Sequence, residues 1–439
     1  MTVPILSFLI LILSSILNIA FAMQPALDVA VGDGSPHIKD SNLRVETVSE
    51  GLKLPTNIGF LDKNVILVLE KDKGTVQRIV NGNISPEPIL DVNVANKNER
   101  GMLGIAVSTF KNDSNYVFLY YTESVKDGND DCPKSYFCNP GNEPLGNRLY
   151  RYEYKNGKLL NPTLLLDLPA TPGPSHNGGS LIIGPDNNLY LSIGDVGRSV
   201  DDYGQSIQNI SSLDGRGGIL RVTQDGEAVG QGILGSSHPL NLYYAYGLRN
   251  SYGIDFDPIT GNLWDTENGP NYGDEINLVE PGFNSGWDKV QGIWTVIVGD
   301  PSIPNKTDIE PKNLLEFGGK SNYSLPELTW AGTVGPTAIK FLDTDKLGKQ
   351  YQNDIFVGDV HNGNLYHFDL DKLRKGLLLK SSLVDKVIDA DTESQGIIFG
   401  KDFGGISDLK IGPDGYLYVV SIGQGKIFRI LPSQEQAHN

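Results

Sequence analysis

Cysteine and positive charge are both scarce in this sequence of 439 residues. Only two cysteines occur, and 36 Lys and Arg residues are outnumbered by 53 Asp and Glu residues, which gives a formal charge of −17. A protein that binds nucleic acid needs a basic face to neutralise phosphate, and an anionic membrane surface also attracts Lys and Arg. The charge therefore argues against nucleic acid and against a membrane surface as partners.

Long amphipathic helix patterns and several enzyme fingerprints are also absent. The sequence shows no GxxxxGK, HExxH, GxSxG or dinucleotide-binding glycine pattern, so the corresponding enzyme classes lose support. Glycine (51), proline (25), tyrosine (19) and phenylalanine (15) are plentiful instead. Many tight turns between short, aromatic-rich strands use such a composition, and we therefore expect an all-β fold.

The amino terminus predicts export from the cytoplasm. Residues 3–22 are uncharged and apolar, and they end in Ala-Phe-Ala, the small-x-small pattern of a signal-peptidase site. A cleaved signal peptide and a retained membrane anchor both remain open, and both place the chain outside the cytoplasm, secreted or tethered to the outer face of the membrane. Cys132 and Cys138, separated by five residues, suit a small disulfide in an oxidising compartment. They offer too few ligands for a structural zinc site.

A repeated pattern fills most of the chain. Each copy has an alternating strand, a turn rich in Pro, Asp, Asn and Gly, a second apolar strand, a glycine turn and a third strand; the clearest is ISDLKIGPDGYLYVVSIGQGKIFRIL at residues 406–431. The copies begin at Asn57, Met102, Ser180, Tyr252, Ala338 and Ile406. Radial repetition of such units predicts a six-bladed β-propeller of four-stranded antiparallel blades over residues 43–432. Residues 43–50 form an extra strand that closes the ring, residues 23–42 a flexible segment, and residues 433–439 a tail.

A histidine and an aspartate occupy matching ends of one predicted hairpin. His176 precedes a strand of the third copy, and Asp195 ends the next strand, 19 residues later. Two antiparallel strands joined by the GPDNN turn bring these two residues together. A carboxylate on one ring nitrogen fixes the imidazole tautomer, so that the other nitrogen can act as a general base. A purely structural His–Asp pair is the alternative.

The next copy carries an arginine and several oxygen donors. Arg249 lies where His176 lies one copy earlier, and a buried arginine facing a channel calls for an anion or a polarised oxygen. Gly269 and Pro270 offer main-chain carbonyls in a fixed turn, which hard cations such as Ca²⁺ accept. The neighbouring carboxylates Asp274 and Glu275 strengthen a metal hypothesis, and a solvated turn is the alternative.

Four stretches together resemble the glucose/sorbosone dehydrogenases. They are ERGMLGIAV from Glu99, HNGGSLIIGPDNNLYLSIGDVGR from His176, GGILRVTQDG from Gly217, and YGLRNSYGIDFD…TENGPNYGDEINLVEPGFNSGW from Tyr246. The likeness spans about residues 43–432. It implies a six-bladed propeller that uses pyrroloquinoline quinone (PQQ) with Ca²⁺ to oxidise an aldose at C1 to the lactone, with an unidentified electron acceptor.

The resemblance also implies roles for individual residues. His176 would take the proton of the sugar C1 hydroxyl while hydride passes to the quinone, Asp195 would orient His176, and Arg249 would stabilise charge on the quinone. The other implied residues are Asn250, Asn268, Thr333 and His361 for the cofactor, Glu99 and Trp330 for the sugar, the carbonyls of Gly269 and Pro270 for the cofactor's Ca²⁺, and Asp274 and Glu275 for a second, structural Ca²⁺.

The sequence departs from the family at two cofactor positions. The family has a lysine on the fifth blade where this chain has His361, and two arginines on the sixth, where residues 405–408 read Gly-Ile-Ser-Asp. Because PQQ carries three carboxylates, fewer cations predict weaker binding. A non-catalytic exported propeller that binds a glycan or a protein partner therefore stays open. So does a Ca²⁺-dependent sugar lactonase, although no set of carboxylate ligands at the channel centre is evident.

Overall fold

The structure is built from β-sheets arranged around a central channel. The computed structural model describes residues 29–32, 34–109, 115–125, 144–197, 204–207, 210–296 and 313–433. The predicted signal segment or anchor at residues 1–22, Cys132, Cys138 and the tail beyond residue 433 lie outside these ranges, so the export and disulfide predictions stay predictions.

Within these ranges the strands form six sheets of four or more strands and one two-stranded hairpin. Sheet 1 consists, in chain order, of Pro55–Asp62, Val65–Glu70, Thr75–Val80, Asn83–Ile84 and Leu90–Asp91. Sheet 2 consists of Met102–Thr109, Asn115–Glu123, Gly146–Lys155 and Lys158–Leu168. Sheet 3 consists of Leu181–Ile183, Leu189–Ile193, Gly218–Val222, Tyr243–Tyr246, Phe283–Asn284 and Asn322–Tyr323.

The remaining strands belong to the second half of the ring. Sheet 4 consists of Ser251–Phe256, Leu263–Glu267, Asp274–Val279, Leu328–Trp330 and Val387–Ile388. Sheet 5 consists of His37–Ile38, Pro336–Phe341, Ile355–Asp359, Leu365–Phe368 and Ile398–Lys401. Sheet 6 consists of Leu43–Glu50, Ile406–Ile411, Leu417–Ser421 and Lys426–Pro432, and the hairpin of Val290–Gln291 and Trp294–Thr295. The short helices of the described ranges are the α-helix Asp391–Ser394 and the 3₁₀ turns Gly204–Ser206, Ile210–Ser212, Leu240–Leu242, Lys349–Tyr351 and Ser381–Asp385.

The sheets pack side by side in a closed ring. The first strand of each repeat contacts the first strand of the next repeat, and the last of these strands contacts the first, which closes the ring. These first strands are, in order, Pro55–Asp62, Met102–Thr109, Leu181–Ile183, Ser251–Phe256, Pro336–Phe341 and Ile406–Ile411. One apolar cluster fills the space between each pair of neighbouring sheets. On the strand Leu417–Ser421, Leu417 and Val419 pack toward sheet 5, whereas Val420 packs toward sheet 1. Successive side chains point to opposite faces, so one strand supplies two cores. This arrangement confirms the all-β, β-propeller prediction.

An amino-terminal strand joins the two ends of the ring. Leu43–Glu50 pairs antiparallel with Lys426–Pro432, from Leu43 opposite Pro432 to Glu50 opposite Lys426, as the sequence predicted. The chain before residue 43 is also attached. His37–Ile38 pairs with sheet 5, and the Ala30 amide donates to the Val360 carbonyl at 2.9 Å. The predicted flexible segment therefore joins the folded body earlier than the sequence boundary placed it.

Four sheets have more than the predicted four strands, and two of them also depart from the antiparallel pattern. His37–Ile38 and Leu90–Asp91 add a fifth antiparallel strand to sheets 5 and 1. Sheet 3 gains Phe283–Asn284 and Asn322–Tyr323, and sheet 4 gains Val387–Ile388, all in parallel pairings. These strands come from the long connections, whose backbone groups find partners at the open outer edges of the sheets. No helix within the described ranges has both the length and the apolar character needed to cross a membrane.

Candidate functional site

A cavity of about 150 Å³, lined largely by residues with polar side chains, lies at the end of the channel where the first strands begin. His176, which precedes sheet 3, and Arg249, which precedes sheet 4, line the same cavity, as the sequence argument required. The cavity also contains most of the other predicted residues, namely Glu99, Asn250, Asn268, Gly269, Pro270, Asp274, Thr333 and His361.

His176 and Asp195 form the predicted pair. Nδ1 of His176 lies 2.6 Å from Oδ1 of Asp195, and the indole Nε1–H of Trp287 donates to Oδ2 of Asp195 at 2.9 Å. Burial by itself would raise the pKa of Asp195, but His176, Arg249 and the Trp287 indole together hold that pKa below its ordinary value. Asp195 is therefore an ionised acceptor, so Nδ1 of His176 carries the proton and Nε2 is left as an acceptor.

The backbone of His176 is strained and held in place by Glu99. His176 has a φ of +59°, in the left-handed region that side chains other than glycine seldom adopt. The His176 amide donates to Oε2 of Glu99 at 2.6 Å, and the same oxygen accepts a hydrogen bond from the Asn250 side chain at 3.1 Å. Glu99 thus links the approaches to three sheets and fixes where His176 enters the cavity.

Arg249 is buried in the cavity wall. Its Nη1 donates to the carbonyls of Asn268 and Gly269 at 2.9 and 3.0 Å, and its guanidinium carbon lies 5.4 Å from the centre of the Trp287 ring. Nε of Arg249 and Oδ1 of Asn250 have no hydrogen-bond partner among the described residues. Buried polar atoms without partners are costly, so these two atoms suit a polar ligand in the cavity.

Asp274 fastens two loops beside the cavity. Its Oδ1 accepts the Gly269 amide at 2.8 Å, and its Oδ2 accepts the amides of Val334 and Gly335 at 2.7 and 2.8 Å. Burial raises the pKa of Asp274, and the three amides and His361 oppose that rise. The carboxylate therefore orders the turn that presents the Gly269 and Pro270 carbonyls.

Glu275 does not share a site with Asp274, contrary to the prediction of one ion held by both. The two are neighbours on the strand Asp274–Val279, so their side chains point to opposite faces of the sheet. Glu275 instead lies in a buried carboxylate cluster, where the Ser285 hydroxyl donates to Glu267 at 2.6 Å and lies 3.4 Å from Glu275. Burial raises the pKa of Glu275 to about 8 and that of Asp265 to about 7. Sequence reasoning missed Glu267 and Asp265 because LWDTE resembles an ordinary buried strand.

Trp330 does not line the cavity, contrary to the predicted sugar contact. It is 2% exposed and belongs to the apolar cluster between sheets 4 and 5, with its ring 5.7 Å from that of Tyr366. It ends the strand Leu328–Trp330, which pairs on the outer side of Asp274–Val279 and faces the next sheet. Its place in the sheet makes it a core residue.

Four cavity residues were missed although the repeat contains a signal for them. Thr56, Tyr252, Thr337 and Ser407 all line the cavity, and each is the second residue of a first strand. Because equivalent positions of radial repeats converge on the channel, alignment of the copies would have found them. Trp287, in contrast, has no such signal: a tryptophan after a glycine turn is typical of core packing.

The fold and the cavity define the class of protein: a β-propeller whose polar channel site contains a His–Asp pair beside a buried arginine. The family model for glucose/sorbosone dehydrogenase matches residues 52–429, and the chain belongs to that family.

Similar proteins carry related names. An aldose sugar dehydrogenase of Escherichia coli is 24% identical over 396 residues, which cover 89% of this chain and 94% of that protein. Quinoprotein glucose dehydrogenase B of Acinetobacter calcoaceticus is 30% identical over 275 residues, 58% of this chain and 54% of that protein. The PQQ-bound aldose sugar dehydrogenase of Streptomyces coelicolor has the same fold, with a TM-score of 0.61 and 22% identity over 90% of this chain and 99% of that one.

Proposed function

We propose that this chain is an exported, six-bladed, PQQ-dependent sugar dehydrogenase that oxidises an aldose at C1 to the lactone. One observation carries the proposal: the Asp195-paired His176 and the buried Arg249 line a single cavity. Membership of the glucose/sorbosone dehydrogenase family supports the reaction class, and the names of the relatives support a sugar as substrate. The sugar-oxidising relatives also support a small-molecule partner.

His176 supplies the proton transfer. Because ionised Asp195 accepts a hydrogen bond from the Nδ1–H of His176, Nε2 is the acceptor available to a sugar hydroxyl in the cavity. General-base assistance of this kind contributes about 10²- to 10⁴-fold to a rate. The short amide hydrogen bond from His176 to Glu99 keeps the imidazole from withdrawing from the cavity.

The polar side chains of the cavity fit the oxygen and nitrogen atoms of a quinone cofactor. Arg249, Asn250, Asn268, Thr333 and His361 would hold it, and the unpartnered Nε of Arg249 and Oδ1 of Asn250 offer a donor and an acceptor for it. When bound, PQQ supplies a two-electron acceptor for the hydride that leaves C1. The turn fixed by Asp274 presents the carbonyls of Gly269 and Pro270, which suit the cofactor's Ca²⁺.

Positive charge is sparse on the opposite wall. His361 comes from sheet 5, and Ser407 and Ile422 from sheet 6, so Arg249 is the one Lys or Arg among the described cavity residues. Lys410 lies deeper in the channel, 3.5 Å from Asp408. We therefore expect weaker quinone binding than in family members that have a lysine and two arginines there. This observation favours the second candidate function, a propeller that binds a glycan or a protein partner without catalysis.

A second, structural Ca²⁺ would use Glu275 in the carboxylate cluster and would not be shared with Asp274. Glu267 and Glu275 are both buried, and the Ser285 hydroxyl lies between them. Ionising several neighbouring buried carboxyl groups is costly, and a bound Ca²⁺ would offset that cost. Calcium binding should therefore be detectable by calorimetry without PQQ and should be lost in Glu275→Gln.

The decisive experiment measures quinone binding and dye reduction in the purified mature protein. PQQ and Ca²⁺ are added, binding is followed by calorimetry, and a panel of aldoses is offered as substrate. The dehydrogenase proposal predicts aldose-dependent dye reduction that His176→Ala reduces at least 100-fold. His37→Ala serves as the matched control, because His37 is exposed on the edge strand of sheet 5 and does not line the cavity. Absence of quinone binding at high micromolar PQQ would replace the proposal with the non-catalytic alternative.

A further inference from the structure

We propose that Trp287 is a positioning residue that couples the His176–Asp195 pair to Arg249. This inference rests on the proposed function, because it concerns how the His176 imidazole and the Arg249 guanidinium are held in a fixed relative position. Trp287 touches both groups through different parts of its indole: the N–H meets Asp195, and the ring lies beside the guanidinium of Arg249.

The N–H of Trp287 fixes the rotation of the Asp195 carboxylate. Oδ1 of Asp195 faces Nδ1 of His176 and also accepts the Gly197 amide at 2.9 Å, whereas Oδ2 accepts the indole at 2.9 Å. Asp195 is 2% exposed and Trp287 is 4% exposed, so water cannot readily replace a lost donor. Without the indole N–H, Oδ2 of Asp195 has no hydrogen-bond donor among the described residues, and the carboxylate can rotate. The short hydrogen bond between Oδ1 and Nδ1 of His176 then lengthens or weakens.

The ring of Trp287 keeps Arg249 in place from the other side. The guanidinium lies within cation–π distance of the indole while Nη1 binds the carbonyls of Asn268 and Gly269. The ring face and the two carbonyls therefore restrain the side chain from different directions.

Backbone contacts hold Trp287 itself. Its amide donates to the Gly247 carbonyl at 2.9 Å, two residues before Arg249, and its carbonyl accepts the Gln205 amide at 3.2 Å. The indole is thus anchored to the same loop that carries Arg249. The loop that carries Arg249 is therefore hydrogen-bonded to the residue whose indole contacts Asp195.

Two substitutions separate the two contacts. Trp287→Phe removes the N–H and keeps a ring, whereas Trp287→Leu removes both. We expect Trp287→Phe to lower kcat about 10- to 100-fold with KM for the sugar within about twofold, and to change the affinity for PQQ and Ca²⁺ less than about threefold. Trp287→Leu should in addition weaken PQQ binding about tenfold.

Trp264→Phe is the matched control. Trp264 is fully buried in the core between sheets 4 and 5, and its Nε1 has no hydrogen-bond partner among the described residues. This control loses packing without losing a hydrogen bond, so kcat should stay within about twofold of wild type. A kcat loss of equal size in both Phe variants would show a general packing effect and would overturn the proposal.

A second readout needs no cofactor and no activity. The short His176–Asp195 contact should give a low-field imidazole proton signal in the NMR spectrum, assigned by its loss in His176→Ala. Trp287→Phe should shift or broaden this signal, and Trp264→Phe should leave it unchanged. An unchanged signal together with an unchanged kcat in Trp287→Phe would overturn the inference. If wild type shows neither quinone binding nor activity, the proposed function fails, and the NMR comparison alone decides whether Trp287 orders the pair.

Discussion

Replacing Asp195 by asparagine tests whether His176 acts as the general base. Asp195 accepts hydrogen bonds from both His176 and Trp287, and an asparagine amide cannot accept from both. If the amide oxygen faces Nδ1 of His176, the NH₂ group meets the indole N–H of Trp287, and two donors oppose each other. If the oxygen faces Trp287, the NH₂ group meets Nδ1 of His176, which must then accept. The imidazole proton moves to Nε2, and Nε2 can no longer take a proton from the sugar.

The expected loss follows from the tautomer. Removing general-base assistance should lower kcat about 10²- to 10⁴-fold, which corresponds to roughly 3–5 kcal/mol of transition-state stabilisation. The assay is dye reduction with saturating PQQ, Ca²⁺ and aldose, with circular dichroism to confirm folding.

Asp186→Asn is the control for this prediction. It makes the same substitution at the far turn of the same sheet, where Asp186 accepts from Arg221 at 2.8 Å. Its kcat should stay within about twofold of wild type. A folded Asp195→Asn variant with kcat within threefold of wild type would refute the assignment of His176 as the base.

Two further predictions concern stability. Trp330→Phe should lower the free energy of unfolding by about 1–3 kcal/mol and leave KM for the sugar unchanged, since Trp330 packs in the core; denaturant unfolding and steady-state kinetics check this. Arg374 binds buried Asp257 at 2.7 and 2.8 Å; burial opposes ionisation, but Arg374 holds the pKa of Asp257 below its ordinary value. The stabilisation exists above the unfolded pKa of about 3.9 and is lost as pH falls. Arg374→Gln should therefore cost about 2–3 kcal/mol at pH 7 and move the acid-unfolding midpoint upward, whereas Lys375→Gln, in an exposed pair, should change neither.

The repeats could be predicted because they depend on local pattern. Apolar residues at every second position, with Asp, Asn and Gly at fixed turns, determine strands of defined length whatever surrounds them. The copies that begin near Asn57 and Ile406 became the strands Pro55–Asp62 and Ile406–Ile411, which meet where the ring closes. The extra parallel strands of sheets 3 and 4 could not be foreseen, because they form only where an already closed ring offers an open edge.

The sequence by itself determined which chemical groups face the channel from the starts of the first strands, because equivalent positions of a radial repeat converge on its axis. His176 and Arg249 follow from that rule. Only the tertiary structure decided between residues of the same type. Trp287 reaches the buried carboxylate of Asp195, while Trp330 fills a core between two sheets. The physical reason is that local pattern sets which face of a strand a side chain occupies, whereas its neighbours depend on how distant segments pack around the closed ring.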